Sequence, residues 1–233
     1  MNQFTRSLSV AILAACSASF LSASLKADDA ALPRTFMAEP GTLLFSDDLE
    51  KPLAKPWTVG KGKWEIDGGA VRVSELAAEK HGAAARVPLA AHNFVAQYSI
   101  KLDGAKTTSL SVNDAKGHCC RVLISPTSLT VQKDSHDHNQ DDKQVKLDTR
   151  PGAVSLGEWH TVVIEVVGPE IVASLDGDRV ALGSHASIDV DKTNFGLTVA
   201  GATASYKNLR IWEATAKPTW ESTKSEITQR AAK

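Results

Sequence analysis

The chain has 233 residues, of which 42% are hydrophobic and 23% are charged, and its formal net charge is -1. This near-neutral balance gives no electrostatic case for nucleic-acid binding, since a protein that binds the phosphate backbone usually presents a basic face. No apolar run reaches the roughly 20 residues that a membrane-spanning helix needs. The length is sufficient for one sizeable domain with its own hydrophobic core.

The first 27 residues have the layout of a secretory signal peptide. Arg6 supplies a positive charge, residues 8–15 form a short apolar stretch, and small residues continue up to Ala27. This layout predicts an exported protein, either periplasmic or extracellular. The sequence Leu-Ala-Ala-Cys that ends at Cys16 also resembles a bacterial lipidation signal, so a lipid anchor at Cys16 is the alternative.

Strand patterns dominate the rest of the chain. After an extended leader at 28–41, short alternating runs recur between turn signals at intervals of about ten residues. No long amphipathic helix interrupts them. Residues 42–213 are therefore predicted to form an all-β domain, an antiparallel β-sandwich of the jelly-roll type. Residues 214–233 are predicted to be an appended C-terminal tail with a short surface helix, docked by Trp220.

The clearest pattern lies between residues 157 and 182. Val162, Ile164 and Val166 alternate with residues of the opposite face, as in a strand over 161–167. Glu165 belongs to that opposite face. Runs at 170–175 and 179–182 follow, joined by Asp-Gly-Asp at 176–178, a strong hairpin signal. We expect a β-meander here.

Several short motifs suggest a family. They are Leu-Phe-x-Asp-Asp at 44–48, Trp-x-Ile-x-Gly-Gly at 64–69, Gly-Glu-Trp-His-x-x-x-Ile-x-Val-x-Gly at 157–168, Ala-Ser-Leu-Asp-Gly at 173–177 and the closing strand at 206–212. This set resembles the 3-keto-disaccharide hydrolase domain of the concanavalin A-like lectin and glucanase superfamily, over roughly 43–213. The resemblance implies a jelly roll of two antiparallel sheets and, for an enzyme, cleavage of a keto-sugar glycoside.

The most unusual polar cluster spans residues 133–142. His136 and His138 flank an aspartate, and imidazole with carboxylate suits zinc or manganese, whereas the aspartates alone would suit calcium. Pairing of the predicted strands 119–124 and 128–133 brings His118 towards this segment. A divalent metal held by His118, Asp134, His136 and His138 is therefore one hypothesis, and a solvated polar loop is the other.

The same region supplies the catalytic candidates, His118, Arg121 and Asp134, and the sugar-binding candidates, Arg121 and Lys133. An arginine on a concave sheet can donate hydrogen bonds to sugar hydroxyls. A histidine or aspartate could move a proton next to a metal-polarised keto group. On a regular strand, His118 would share a face with Cys120, and Arg121 would lie on the other face.

The cysteines and tryptophans leave alternatives open. Cys119 and Cys120 are adjacent and cannot join distant strands, so they form either a strained vicinal disulfide or two buried thiols. Tryptophans fall at the ends of predicted strands, at positions 57, 64, 159 and 212. This placement favours core or edge packing, and stacking on a bound sugar is the alternative.

Together these patterns predict an exported β-sandwich protein that binds or acts on a carbohydrate. One hypothesis is metal-assisted hydrolysis of 3-keto-glycosides. The alternative is a non-catalytic glycan-binding or adhesion module of the cell envelope, and a third is a structural envelope protein. His118, Arg121 and the acidic segment gathered in one pocket would favour the enzyme, whereas exposed aromatic rings on a smooth sheet would favour the binding module.

Overall fold

The computed structural model of the chain describes residues 32–136 and 141–231. The predicted signal segment at 1–27, which includes Cys16, lies outside the described residues, and so does one predicted metal ligand, His138. Within the described ranges, no helix has both the length and the apolar character needed to cross a membrane.

Thirteen strands and one helix make up the described part of the chain. The strands are β1 (Ala38–Asp47), β2 (Thr58–Lys61), β3 (Lys63–Asp67), β4 (Ala70–Ser74), β5 (Ala83–Ala91), β6 (Phe94–Asp114), β7 (Gly117–Ser125), β8 (Ser128–Lys133), β9 (Val145–Pro151), β10 (Trp159–Val167), β11 (Glu170–Leu175), β12 (Arg179–Ser184) and β13 (Lys192–Ala216). The helix is α1 (Trp220–Ala231), and short 3-10 turns lie at Ala77–Glu79 and Ala186–Ile188.

The strands β6 and β13 are long enough to take part in two sheets. The first half of β6 pairs with β10 and its second half with β7. The first half of β13 pairs with β5, and its second half pairs with β4 and β1. Both strands bend at a glycine with positive φ, Gly104 at 88° and Gly201 at 91°, a conformation that other residues rarely adopt.

This sharing divides the strands into two layers. The first sheet has the order β12-β11-β10-β6-β13-β4-β3, with β1 beside the end of β13. The second sheet has the order β9-β8-β7-β6-β13-β5-β2. At one side the layers are joined, because the Leu182 N–H of β12 donates to Asp148 of β9 at 3.0 Å. The predicted antiparallel β-sandwich and C-terminal helix are confirmed.

The hydrophobic core lies between the two sheets because alternate side chains of each strand point inward. In β10, Val162, Ile164 and Val166 are almost completely buried, as the predicted meander requires. Leu110 and Val122 of the second sheet belong to the same cluster. Burial of each such side chain contributes about 1.5–3 kcal/mol to the free energy of unfolding.

The outer face of the first sheet is covered in part by the segment that leads into β1. Glu165 of β10 has no exposed surface, and its carboxylate accepts the backbone N–H groups of Phe36, Met37 and Ala38 at 2.7–2.8 Å. Burial raises the pKa of the Glu165 carboxyl, and these hydrogen bonds oppose that rise. A carboxylate on the outer face is thereby hidden from solvent.

The helix α1 covers a neighbouring part of the same face. Trp220 is 5% exposed, packs with Met37 and Val172, and donates its indole N–H to the Glu170 carboxylate at 2.6 Å. Lys224 pairs with that same carboxylate. A helix of this length is marginal by itself. The buried indole of Trp220 therefore stabilises it by holding it to the sandwich.

Several elements differ from their predicted extent. Strands β6 and β13, of 21 and 25 residues, are far longer than the short runs predicted from the sequence. Strand β5 was not predicted at all. Strand β1 begins at Ala38, within the predicted leader, and β13 ends at Ala216, beyond residue 213.

Candidate functional site

A cavity of about 290 Å³ lies on the outer face of the second sheet. Its described lining comes from the central strands of that sheet and from the segment before β5: His81, Gly82, Ala83, Ala84, Arg86, Thr107, Ser109, Ser111, His118, Arg121, Leu123, Thr198, Val199 and Ala200. The polar character of this face follows from alternation, because Leu110 and Val112 of β6 point into the core while Ser109 and Ser111 point outward.

Hydroxyl groups form the floor of the cavity. The Ser109 and Thr198 hydroxyls are 2.6 Å apart, and Ser111 donates to the Gly196 carbonyl at 3.3 Å. The glycine at 196 leaves room for its neighbours, since a Cβ there would lie 2.9 Å from the Ser111 Oγ and 3.0 Å from the Arg86 Cγ. A wider side chain at this position would therefore displace Arg86 or Ser111.

Arg121 and Asp134 form an ion pair at the edge of the cavity. The Arg121 Nε donates to one Asp134 oxygen at 2.6 Å, and the Gln132 amide donates to the other at 2.6 Å. Asp134 is 2% exposed, whereas a quarter of the Arg121 side chain is accessible. The carboxylate thus fixes the arginine in place without itself being open to a ligand.

His118 reaches the outer face through an irregularity in the pairing of β6 with β7. Val112 pairs with Cys120, but the next residue, Asn113, pairs with His118, so Cys119 is an extra residue in β7. Because of this bulge, residues before Cys120 lie on the opposite face from the one that regular alternation along the strand would give them. The prediction that His118 shares a face with Cys120 is therefore wrong: His118 lines the cavity together with Arg121, and its Nδ1 lies 3.0 Å from the Asn113 Oδ1.

Lys133 and His136 lie at the adjoining end of the sheet and have partners of their own. Lys133 is 1% exposed, pairs with Asp142 and donates to the Lys143 carbonyl at 3.1 Å. The His136 imidazole pairs with Asp142 and with Asp114, whose carboxylate is 3.0 Å from Nε2. Of the predicted sugar-binding residues, only Arg121 borders the cavity.

The three described members of the predicted metal set do not share a centre. Asp134 is bound to Arg121 and Gln132, while His136 is bound to aspartates at 114 and 142. Within the described part of the chain, no group of three or more His, Cys, Asp or Glu side chains is arranged to hold a metal ion. The metal stays a prediction, because His138 lies outside the described residues.

The adjacent cysteines are free thiols, and both are buried. A hydrogen bond between the two thiols lowers the pKa of Cys119 and raises the pKa of Cys120. The Cys119 thiol also donates to the Ser187 carbonyl at 3.7 Å. Of the two alternatives for this pair, the structure has the buried thiols.

The tryptophans do not line the cavity. Trp57 and Trp212 are buried, and Trp64 packs against the core, as predicted for strand ends. Trp159 is 37% exposed on the first sheet, and the Lys207 ammonium lies 4.3 Å from its ring centroid. The described lining of the cavity contains no Phe, Tyr or Trp.

Sequence reasoning missed most of the residues that line the cavity. Ser109, Ser111 and Thr198 each alternate with buried aliphatic residues, which is a usable signal for an outward polar stripe. Arg86 had no comparable signal, because its strand, β5, was not recognised. Its position in the cavity depends on pairing between residues 86 and 196, far apart in the sequence.

Comparison with known proteins supports the fold alone. No family model and no curated protein matches the chain. Solved structures that resemble it include the carbohydrate-binding module CBM66 from Bacillus subtilis (15% identity, 67% of this chain and 95% of that one, TM-score 0.57). The Bacillus licheniformis β-glucanase (11%, 75% and 100%, 0.54) and a galectin-like protein of unknown function from Bacillus subtilis (8%, 78% and 100%, 0.57) are also similar. The chain therefore shares the antiparallel β-sandwich fold of these structures.

Proposed function

We propose that this protein binds a carbohydrate in the cavity on the outer face of the second sheet. The observation that carries the proposal is the lining itself, in which hydroxyl, imidazole and guanidinium groups converge on one cavity of about 290 Å³. Such groups donate to and accept from sugar hydroxyls. The similar structures include a carbohydrate-binding module and a β-glucanase, which supports the same class of ligand.

A binding function is favoured over glycoside hydrolysis by the placement of the carboxylates. Hydrolysis with two carboxylates requires both to flank the scissile bond, about 5–10 Å apart. The described lining contains no Asp or Glu, and the carboxylate that contacts Arg121, that of Asp134, accepts hydrogen bonds from Arg121 and Gln132 through both oxygens. The cavity can therefore hold a sugar through hydrogen bonds without the usual acid–base pair.

The test is a glycan-array screen followed by calorimetry on a pair of double variants. Ser109→Ala with Thr198→Val removes the hydroxyl pair in the cavity and should weaken binding of any array ligand by about tenfold. Thr130→Val with Thr149→Val removes a similar pair, 3.1 Å apart, that is absent from the described lining, and should leave affinity unchanged. Equal effects of both double variants would reject the cavity as the site.

Cleavage of a 3-keto-glycoside is a second candidate, supported by one feature of the cavity. His118 and Arg121 border the same space, so an imidazole could move a proton while the guanidinium binds a keto or hydroxyl oxygen. Incubation with a 3-keto-disaccharide, followed by chromatography of the products, tests this activity. His118→Asn should abolish turnover but retain sugar binding, and turnover that survives this substitution would remove His118 from the reaction.

The predicted divalent metal belongs to this second candidate. Elemental analysis of the purified protein, compared with a variant that carries His136→Ala and His138→Ala, measures whether these histidines hold an ion. A loss of about one equivalent of zinc or manganese in the variant would support the predicted set. Equal metal content in the two proteins would reject it, whatever the outcome for sugar binding.

A further inference from the structure

We infer that the cavity selects carbohydrates that carry an anionic group, such as the carboxylate of a uronic acid. This inference rests on the proposed function, since it names the class of glycan for the same cavity. The structural basis is an unbalanced charge in the lining, which a neutral sugar would leave unpaired.

The charged and titratable side chains that line the cavity are all basic. They are His81, Arg86, His118 and Arg121, and no Asp or Glu belongs to the described lining. The carboxylate that contacts Arg121, that of Asp134, is buried against that arginine, whereas Arg86 has no ion pair with any described residue. Although the chain as a whole has a formal net charge of -1, the cavity therefore has an excess of positive charge.

Arg86 is the source of this excess. Its guanidinium has no hydrogen bond or ion pair with any described residue, and its Nε is closed off from solvent without an acceptor. A guanidinium stays charged at physiological pH and presents a planar set of donors that matches a carboxylate. The closed-off Nε is out of a ligand's reach, but Arg86 lines the cavity, and a ligand that places an anionic oxygen against the accessible part of its unpaired guanidinium would be preferred.

The backbone holds Arg86 over the polar floor. Arg86 of β5 pairs with Gly196 of β13. A Cβ at position 196 would lie 3.0 Å from the Arg86 Cγ, so the glycine leaves room for the arginine side chain. The Ser109 and Thr198 hydroxyls border the same cavity. One sugar residue can therefore contact the hydroxyl pair and the guanidinium together.

The absence of stacking groups points to the same ligand class. Neutral sugars are commonly held on the face of a Trp or Tyr ring, where the ring supplies most of the apolar contact. No such ring lies in the described lining, whose largest aliphatic member is Leu123. Recognition here depends on hydrogen bonds and charge, which favours a carboxylated or sulfated sugar over a neutral one.

The test is calorimetry with three probes: an oligogalacturonate, the same oligosaccharide after reduction of its carboxyl groups, and a sulfated glycosaminoglycan fragment. We expect the wild-type protein to bind the oligogalacturonate at least about tenfold more tightly than its reduced form. Arg86→Gln should remove this preference, while Arg86→Lys should retain part of it. Arg230→Gln on α1, where the side chain is 82% exposed, changes the same charge away from the cavity and should have no effect.

The outcomes separate this inference from the function on which it rests. Equal affinity for the acidic and the reduced oligosaccharide would overturn the inference and leave carbohydrate binding in place. A preference that survives in a folded Arg86→Gln variant would overturn the role of Arg86. Tighter binding of the sulfated probe would support an anionic ligand and assign it to sulfate, whereas no binding of these probes or of any array glycan would overturn the inference and the proposed function together.

Discussion

Asp134 shows how one buried residue organises the exposed face around it. Its two oxygens accept from Arg121 on β7 and from Gln132 on β8, so neighbouring strands are joined by side chains as well as by the backbone ladder. Gln132 in turn accepts from the Gln144 amide at 3.0 Å. The position of Arg121 in the cavity therefore depends on a carboxylate that no ligand reaches.

Asp134→Asn should reduce the free energy of unfolding by about 1–3 kcal/mol, because it leaves hydrogen-bond donors of Arg121 or Gln132 unpaired. The effect is smaller than for a wholly buried ion pair, since a quarter of the Arg121 side chain is solvated. Urea unfolding at constant pH measures it. Asp67→Asn is the matched control, because its side chain is 65% exposed and its contact with Arg72 spans 3.8 Å. If Asp67→Asn lowered the free energy of unfolding as much as Asp134→Asn, this account would be contradicted.

Glu165 gives a prediction about pH. Burial raises the pKa of its carboxyl in the folded protein above the ordinary value of 4.5, so the folded state holds the proton more tightly than the unfolded state. The contribution of this group to stability is thus fully present below pH 4.5 and is lost as the pH rises through the folded pKa. The stability of the wild type relative to Glu165→Gln should fall over that range.

Thermal unfolding at a series of pH values from 4 upward measures this difference. Glu39→Gln is the control, because it removes the same carboxyl from an exposed position near the same segment. A wild-type advantage over Glu165→Gln that grows with pH would show that the three backbone hydrogen bonds outweigh burial.

At the scale of the element, the bend of β13 brings its backbone very close to β6. Gly201 has a φ of 91°, and a Cβ there would lie 2.7 Å from the Lys106 backbone nitrogen. Gly201→Ala should therefore lower the free energy of unfolding by more than the roughly 1–3 kcal/mol that an unfavourable φ alone costs. Both sheets should be affected, because β13 belongs to both.

The control for this substitution is Gly69→Ala in the turn between β3 and β4. Gly69 also has a positive φ, 72°, but no atom lies within 4 Å of the position that its Cβ would take. Chemical denaturation of both variants separates the steric contact from the backbone conformation. If both variants lost equal stability, the close approach to Lys106 would have no energetic effect.

The elements also show which parts of the fold sequence patterns could predict. The meander of β10, β11 and β12 was predicted because its aliphatic residues alternate and a strong turn separates two of its strands. Strand β5 was missed because five alanines and Pro88 give little strand preference, and its structure comes from pairing with β13 and β2. Pro88 is tolerated because β2 pairs only as far as Arg86.

The same limit applies to the candidate site. Arg121 and Asp134 were selected from sequence and are in contact, because hairpin pairing of β7 with β8 is a local feature. His118 was placed on the wrong face because a single extra residue, Cys119, is not visible in an alternating pattern. Arg86 was not found because its neighbours in space come from β13, more than a hundred residues later.

At the scale of the whole molecule, the two outer faces of the sandwich differ. The first sheet is covered by residues 36–38 and by α1, which bury Glu165 and Trp220. The second sheet presents the cavity with its hydroxyl and basic groups to solvent. The two ends of the described chain thus stabilise one face, while the cavity lies on the other.

The buried thiols report on opening of the whole sandwich. Cys119 and Cys120 are 1% and 0% exposed, so in a chain with Cys16→Ser they should react with a thiol reagent only when the sheets separate. Mass spectrometry of labelled samples over time, at increasing urea, should give rates that follow global unfolding. Rapid labelling of the native protein without denaturant would contradict this expectation.

The position of β13 along the chain has a consequence for the order of synthesis. Both sheets place this strand at their centre, beside β6, yet it spans Lys192–Ala216 and follows the twelve other described strands in chain order. A growing chain that lacks it has two incomplete sheets and cannot close the core, because non-local pairing must await the distant partner. If the N-terminal segment directs export as predicted, the chain would remain unfolded and competent for translocation at least until β13 has been made.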